Sequence, residues 1–407
     1  MKISIITGHF PARSETFVLQ HVLGLARRGH TVSVLSFGVG DGISNDELEE
    51  LSALGVALWT VDTFSGSRLS KTLKLAGWVL AKPSRIKNLF PQPPWTRGEL
   101  YEADAKLQLL HEIEPDAIHI HYGTYAGPLL RLGLPKVPVV TWHGVDANIT
   151  PKHRGESMYH EMFQQKCVNS VGSGFMEKRL LALNASPASI VQIPMGVDLS
   201  EFEYMERPCS IGNPLRVVSV GRLDEMKGHR YLIQAVSELI QSGVDLVLNI
   251  VGEGPLRDDL EKQILNSGWT QQIQLLGAKP AKEVLSELRA ADIFALAGVE
   301  AANGRVETQG VVLIEAQATG LPVISSRVGG IPGSLIDGET GILCPAGDVG
   351  AIKEAILFFM ENPQERQKFG VAARGFVEAK FSIDTMLDAF ENQYQKNQMN
   401  PEAGNCR

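Results

Sequence analysis

Short apolar runs alternate with segments of helical periodicity along almost the whole chain, and the alternation starts twice. Ile3–Thr7 is β-branched and apolar, and the loop Gly8-His-Phe-Pro-Ala-Arg-Ser-Glu15 breaks it. Phe17–Arg28 then places Val18, Val22, Leu25 and Ala26 at helical spacing, Gly29 stops the helix, and Thr31–Phe37 is a second strand. Ala117–His121 and Val137–Trp142 continue the series, with weaker strands at Cys167–Val171 and Ile190–Ile193. Pro208-Cys-Ser-Ile-Gly-Asn-Pro214 is polar and proline-bearing, as a linker is. After it the pattern begins again. Strands are expected at Leu215–Val220, Leu246–Val251, Gln272–Leu276, Ile293–Leu296, Pro322–Ser325 and Ile342–Leu343. Helices are expected at Arg230–Gln241, Pro255–Asn266, Lys282–Ala290 and Val311–Ala318. Strands alternating with helices mean βαβ units and parallel sheets.

With 407 residues the chain exceeds one ordinary core. The expected architecture is α/β: two Rossmann-like, doubly wound parallel-sheet domains facing a central cleft. The expected bounds are 1–200, a linker at 201–214, 215–380, and a C-terminal helix and tail at 381–407 packing back on the first domain. Ligands of such sheets sit at the carboxyl ends of strands, so the loops after strands should carry the chemistry.

Hydrophobic residues make up 44% and charged residues 21%, which excludes a disordered chain. A net charge of −8 argues against a nucleic-acid partner held by phosphate neutralisation. Cys167, Cys209, Cys344 and Cys406 are scattered without a CxxC pair, so neither a disulfide framework nor a zinc site is expected. The N-terminal apolar run stops at Gly8, too short for a signal segment, and no run approaches the roughly 20 residues of a membrane span. The expected location is therefore cytoplasmic. One segment departs from the acidic background. Residues 68–90 carry Arg68, Lys71, Lys74, Lys82, Arg85 and Lys87 with no acid, interleaved with Leu69, Leu73, Leu75, Trp78, Val79 and Leu80. Such a stretch suits an anionic membrane surface, on the inner face of the plasma membrane, or a solvated helix over the first domain.

Candidate chemistry concentrates in the second half. The run Gly221-Arg222-Leu-Asp-Glu-Met-Lys227-Gly228 follows a strand, and its two cations can converge on a phosphate. Gly304-Arg-Val-Glu307-Thr-Gln-Gly310 precedes the helix beginning at Val311; Gly310 permits close backbone approach, and the first N–H groups of the helix form an anion site. Glu315 lies about a turn inside that helix. The two carboxylates can thus hold hydroxyls at opposite ends of a ligand whose diphosphate lies between them, the layout of a sugar nucleotide. An acidic loop complementing the helix dipole would look the same in isolation.

Taken in order, Gly221-Arg-Leu-Asp-Glu-Met-Lys-Gly228, Gly252-Glu253-Gly254-Pro255 and Glu307-x7-Glu315-Ala-Gln-Ala-Thr-Gly-Leu-Pro322 resemble the large retaining GT-B glycosyltransferase family 4 (group 1), over nearly the whole chain. The resemblance implies that Arg222 and Lys227 hold the donor diphosphate. It implies that Glu307 holds sugar hydroxyls, that the Gly310/Val311 backbone caps a phosphate, and that Glu315 holds the ribose. Gly252–Pro255 would border the nucleotide, and neither metal nor other cofactor would be needed. Trp142-His143-Gly144-Val-Asp146 is similar to the family's His-Gly loop, where the histidine meets the donor sugar. Pro194-Met195-Gly-Val-Asp198 departs from the family's usual asparagine at 195, so any role of that side chain is absent. Ser14-Glu15-Thr16-Phe17 resembles a subgroup of surface-polysaccharide transferases of the colanic-acid type; its other reading is a helix N-cap by Ser14 or Thr16. In His119-Ile-His121 the paired histidines lack a carboxylate or cysteine at metal spacing, and an acceptor-contacting role for His121 is expected instead.

No carboxylate is placed as a covalent nucleophile. The expected reaction is hexosyl transfer with retention from a nucleotide sugar to a glycan or lipid-linked oligosaccharide. The acceptor would attack on the face from which the diphosphate departs, with domain closure excluding water. A GT-B sugar-nucleotide epimerase would act without acceptor, and a non-catalytic two-domain sugar-binding protein would need neither the cations nor the acid pair. A dinucleotide dehydrogenase is a weaker rival still, because Gly8-His-Phe-Pro is not GxGxxG.

Overall fold

The computed structural model describes residues 1–12, 15–38, 40, 45–61, 63–89, 94–207 and 214–399. The chain divides into two compact units. The first comprises Met1–Gly172, Met176–Ile193 and Leu387–Arg407, and the second Ser173–Phe175 and Pro194–Met386.

The first unit is built on β1 (Lys2–Ile6), β2 (Thr31–Ser36), β3 (Ala57–Thr60), β4 (Ala117–His121), β5 (Val139–Trp142), β6 (Val168–Val171) and β7 (Ile190–Gln192). Their order across the sheet is β3-β2-β1-β4-β5-β6-β7, every pairing parallel. The order reverses between β1 and β4, which makes the carboxyl ends of β1, β4 and β5 the ligand-binding edge of such a sheet. β4 is buried at all five positions, as a central parallel strand must be, although two of its residues are histidines. The edge strand β3 is exposed at all four positions, so its sequence has no apolar alternation to reveal it. The long helix Arg97–Ile113 was also not expected from the sequence. It starts in a capping box in which the Thr96 hydroxyl accepts from Glu99 N–H and the Glu99 carboxylate accepts from Thr96 N–H.

The second unit carries β8 (Leu215–Val220), β9 (Leu246–Val251), β10 (Ile273–Gly277), β11 (Ile293–Leu296), β12 (Val323–Ser326) and β13 (Gly341–Cys344). The order is β10-β9-β8-β11-β12-β13, again all parallel, with the reversal between β8 and β11. The helix His229–Gln241 packs Leu232, Ile233, Val236, Leu239 and Ile240 into the core beside Leu215, Val217, Leu246 and Leu248. Each such side chain contributes roughly 2 kcal/mol by burial. An aspartate at Leu232 would leave an unpaired charge in that core and unfold it.

The boundary of the second unit falls at Pro194 rather than in the polar 201–214 stretch. Met195 exchanges two hydrogen bonds with the Gln309 amide (2.9 and 2.8 Å), and Val197 bridges Ser382. The Arg207 guanidinium is buried and donates to the carbonyls of Leu288, Arg289 and Ala291. Residues 208–213 of the expected linker lie outside the described residues. The last helix, Ile383–Met399, begins in the second unit and contributes Leu387 onward to the first.

Candidate active site

In the second unit the loops after β8, β9 and β11 meet. β8 ends at Val220, a short turn spans Glu225–Lys227, and Gly228 leads into the helix His229–Gln241. This presents Lys227 to the loop after β11, where its ammonium is ion-paired and hydrogen-bonded to the Glu307 carboxylate. Both side chains are only 13% exposed. The cation expected at the phosphate and the acid expected at the sugar are therefore partners of one another. Burial by itself would raise the Glu307 pKa. The Lys227 charge and hydrogen bond, with the backbone N–H groups of Gly310 and Thr308, reverse this and hold it below the usual carboxylate value.

The segment around Glu307 is fastened on both sides. Gly330 N–H donates to Glu307 O at 2.8 Å, Ser173 Oγ–H to Thr308 O at 2.6 Å, and the Ser334 hydroxyl to Gln309 O. Gly310 takes φ +81°, a conformation other residues rarely adopt, and opens the Val311–Ala318 helix. Glu315 lies on that helix, partly accessible, and its pKa is pushed up to about 7 by burial; the Glu201 charge adds to the rise and Lys227 opposes it. Arg222 is 65% exposed, with Asp224 Oδ2 at 3.9 Å as a loose partner. Asp224 also faces Arg305 at 3.5 Å, a second cation that its loop sequence does not distinguish from an ordinary solvated arginine.

Gly252 and Gly254 serve the backbone. A Cβ on Gly252 would stand 1.9 Å from Gly221 O, and one on Gly254 would stand 2.5 Å from Leu223 O. Leu223 N–H donates to Glu253 O, and Leu256 N–H, just past Pro255, donates to Leu223 O, so this turn is clamped onto the 221–223 loop. The Glu253 carboxylate turns away to Arg257 at 2.6 Å.

In the first unit His143 follows β5. The buried Asp146 carboxylate gathers the N–H groups of Gly123 (2.9 Å), His143 (3.2 Å), Gly144 (2.9 Å) and Ala147 (3.1 Å), which fixes the turn carrying His143. Burial pushes Asp146 up to about 6, and the N–H groups of Gly123, Gly144 and His143, with its own, limit the rise. In the sequence the one signal of this role is the position of Asp146 three residues after the histidine. The Phe17 ring lies 4.4 Å from that of His143, centre to centre.

His121 is fully buried, bonded through Nδ1 to His143 Nε2 at 2.9 Å and through Nε2 to His21 Nδ1 at 3.4 Å. The expected direct contact between His121 and an acceptor is therefore corrected: no part of the ring reaches the surface. His21, His119 and His121 each offer a nitrogen within 4.8 Å of the others, spacing at which imidazoles can share a cation. The His119-x-His121 pattern alone did not disclose the third ring. Both nitrogens of all three rings have hydrogen-bond partners, which fits a hydrogen-bonded row better than a ligand set.

Glu15 is raised by burial, opposed by hydrogen bonds from Tyr122 and Thr7. It occupies the N-cap position of the Thr16–Arg27 helix without a side-chain capping bond, and Thr16 is already the first helical residue, so the expected Thr16 cap is not made. Ser14 lies outside the described residues. The basic segment forms a helix, Arg68–Ala81, with Leu69, Leu73 and Leu80 exposed and Trp78 buried. Arg85 is corrected from a surface cation to an internal one: it is buried and paired with Asp104 at 2.6 Å. Among the described residues no helix is long and apolar enough to cross a membrane.

Residues 202–376 match the model of the glycosyl transferases group 1, and residues 14–201 match that of glycosyltransferase family 4. The chain is 30% identical to the amylovoran biosynthesis glycosyltransferase AmsK of Erwinia amylovora, over 94% of this chain and 96% of that protein. It is 29% identical to the putative colanic acid biosynthesis glycosyltransferase WcaL of Salmonella typhimurium, over 88% and 90%. Its fold is shared with a glycosyltransferase from Rickettsia africae (TM-score 0.75, 19% identity, 98% and 99% covered) and with HepE of Anabaena, solved with UDP (TM-score 0.73, 17% identity, 97% and 100% covered). The chain thus belongs to the family 4, group 1 glycosyltransferases, and its two parallel-sheet units are those of the GT-B fold.

Proposed function

We propose that this protein transfers a hexosyl group, with retention of configuration and without a metal ion, from a nucleoside-diphosphate sugar to a glycan or lipid-linked acceptor in exopolysaccharide assembly. The observation that carries the reading is the Lys227–Glu307 pair, set beside the Gly310/Val311 helix start at the switch-point loops of the second unit. A diphosphate attracts Lys227 and the helix N-terminus, and Arg222 and Arg305 stand nearby on the same loop cluster. As the diphosphate engages Lys227, the Glu307 carboxylate can turn its lone pairs to the sugar hydroxyls. Glu315 accepts the ribose hydroxyls.

The leaving diphosphate is stabilised by these fixed cations and by the helix N–H groups, which take the role a metal plays elsewhere. The acceptor hydroxyl attacks on the face the diphosphate leaves, forming the new C1–O bond as the C1–O(phosphate) bond breaks. A phosphate oxygen of the leaving group takes the acceptor's proton. Neither Glu307 nor Glu315 acts as nucleophile: the first holds the sugar hydroxyls and the second the ribose. His143 hydrogen-bonds a hydroxyl of the transferred sugar, and the first unit receives the acceptor near Glu15.

The names of AmsK and WcaL support exopolysaccharide assembly, and HepE with UDP supports a nucleotide donor. The exposed Leu69, Leu73 and Leu80 beside Arg68 and Lys82 support a peripheral seat on an anionic membrane, on the cytoplasmic side. The test is incubation with UDP-, GDP- and ADP-sugars, with and without lipid-linked acceptor, and NMR of the product's anomeric centre. Retention with acceptor-dependent turnover is expected. An inverted product overturns the mechanism, and donor conversion without acceptor would point to an epimerase.

A further inference from the structure

Six side chains of the first unit form one hydrogen-bonded row. Thr141 Oγ1 lies 2.8 Å from His119 Nε2, and His119 Nδ1 lies 2.7 Å from the Tyr394 hydroxyl. That hydroxyl lies 3.3 Å from His21 Nε2, His21 Nδ1 lies 3.4 Å from His121 Nε2, and His121 Nδ1 lies 2.9 Å from His143 Nε2. Every member is buried except His143, which keeps part of its surface accessible. Burial drives the imidazole pKa values down, so all four rings are neutral.

A neutral imidazole has one N–H and one lone pair. The Tyr394 hydroxyl has one proton and two lone pairs, so three settings satisfy every link. All four histidines carry their proton on Nε2, or all four carry it on Nδ1, or His119 alone carries it on Nδ1 and donates, with His21 Nε2–H, to the phenol oxygen. Only a proton given by Tyr394 to His21 puts His143 in the Nδ1–H form, so Tyr394 decides. Its hydroxyl is 2.7 Å from His119, the distance of an O–H donor, and 3.3 Å from His21, so its proton points to His119. His21 Nε2–H then donates to the phenol oxygen, His121 Nε2–H to His21, and His143 Nε2–H to His121.

We propose that this row, set by Tyr394, locks His143 in its Nε2–H tautomer, so that Nδ1 is an acceptor matched to a sugar hydroxyl rather than a donor matched to a phosphate oxygen. The proposal rests on the reading that His143 touches the donor sugar. Tyr394, His119, His21 and His121 are positioning residues that act through His143. They come from the C-terminal helix, β4 and the first helix, and none is adjacent to His143 in sequence.

The experiment is histidine-selective 15N NMR of the full chain, whose ten histidines can be assigned by single substitutions. His21, His119, His121 and His143 are each expected as a single Nε2–H species. A His143 Nδ1–H species overturns the proposal, as does a stoichiometric transition metal in elemental analysis of protein purified without chelator. In Tyr394→Phe the row is cut, and His143 is expected as a tautomer mixture. Turnover of the nucleotide sugar selected by the donor panel should then fall about tenfold, while UDP affinity is unchanged. Unchanged tautomers in Tyr394→Phe overturn the role of Tyr394. Altered tautomers with unchanged turnover leave the row standing and refute the assignment of His143 to the donor sugar.

Discussion

Replacing Lys227 with methionine keeps most of the apolar stem and removes the charge facing Glu307. The two side chains are 13% exposed, so Glu307 would be left with little water and no counter-ion. Deleting one partner of a buried pair costs roughly 3–5 kcal/mol. Glu307 keeps the N–H groups of Thr308 and Gly310, each worth about 1 kcal/mol, so the expected loss is about 1–3 kcal/mol. The sign of the pH dependence follows. In the wild type the Glu307 pKa is below its unfolded value, so the pair's contribution is present above that unfolded value and is lost as the pH falls through the folded one. In Lys227→Met burial dominates, and the Glu307 pKa moves up instead. Glu307→Leu in the same chain removes the stranded charge and should recover most of the loss, giving a coupling energy of about 2 kcal/mol. The assay is urea unfolding of the four proteins of the cycle, each labelled with fluorotryptophan. Trp269 is the one tryptophan of the second unit, so its 19F resonance reports on that unit alone. A Lys227→Met midpoint equal to wild type, with additive single changes, would refute the reasoning.

Asp146→Ala removes the acceptor of four backbone N–H groups and should destabilise the first unit by about 3 kcal/mol, read as a shifted unfolding midpoint, with turnover lost through a misplaced His143. Glu315 is held at about 7, and ribose hydroxyls require its ionised form. UDP affinity by calorimetry should therefore weaken roughly tenfold from pH 8 to pH 6, and Glu315→Gln should remove that difference. His229 is buried with neither ring nitrogen hydrogen-bonded, and its pKa is lowered to about 3, chiefly by burial. Its contribution is complete above the unfolded value near 6.5 and declines by about 1.4 kcal/mol per pH unit below it; His229→Leu should flatten the urea midpoint between pH 6.5 and 5.

The central parallel strands were legible because a strand covered on both faces is a nearly continuous apolar run, unbroken in Ile293–Leu296 and interrupted only by Arg216 and Ser219 in Leu215–Val220. The Val311–Ala318 helix was legible from its opening glycine. β3 was not, since an exposed edge strand carries no alternation. Arg222, Lys227, Glu307 and Glu315 could be listed from motif order, but the Lys227–Glu307 bond joins residues 80 apart that no local pattern connects. The histidine row is harder still. His21 and His121 are 100 residues apart, and Tyr394 is 275 from His119 on a helix that looks like an ordinary amphipathic surface element. Arg85 shows the converse: charge in a basic run reads as solvated until Asp104 arrives from another helix.

On the proposed function, the loop cluster of the second unit binds a nucleoside diphosphate. Arg222 tests it most directly, because its side chain is 65% exposed and supports nothing in the core. Calorimetric titration of UDP, GDP and ADP into wild type and Arg222→Ala should show at least one nucleotide binding the wild type. That nucleotide should bind the variant about tenfold to a hundredfold more weakly, as loss of a charge-assisted contact requires, with an unchanged unfolding midpoint. Equal affinity in the two proteins, or no binding of any of the three by wild type, would contradict the account.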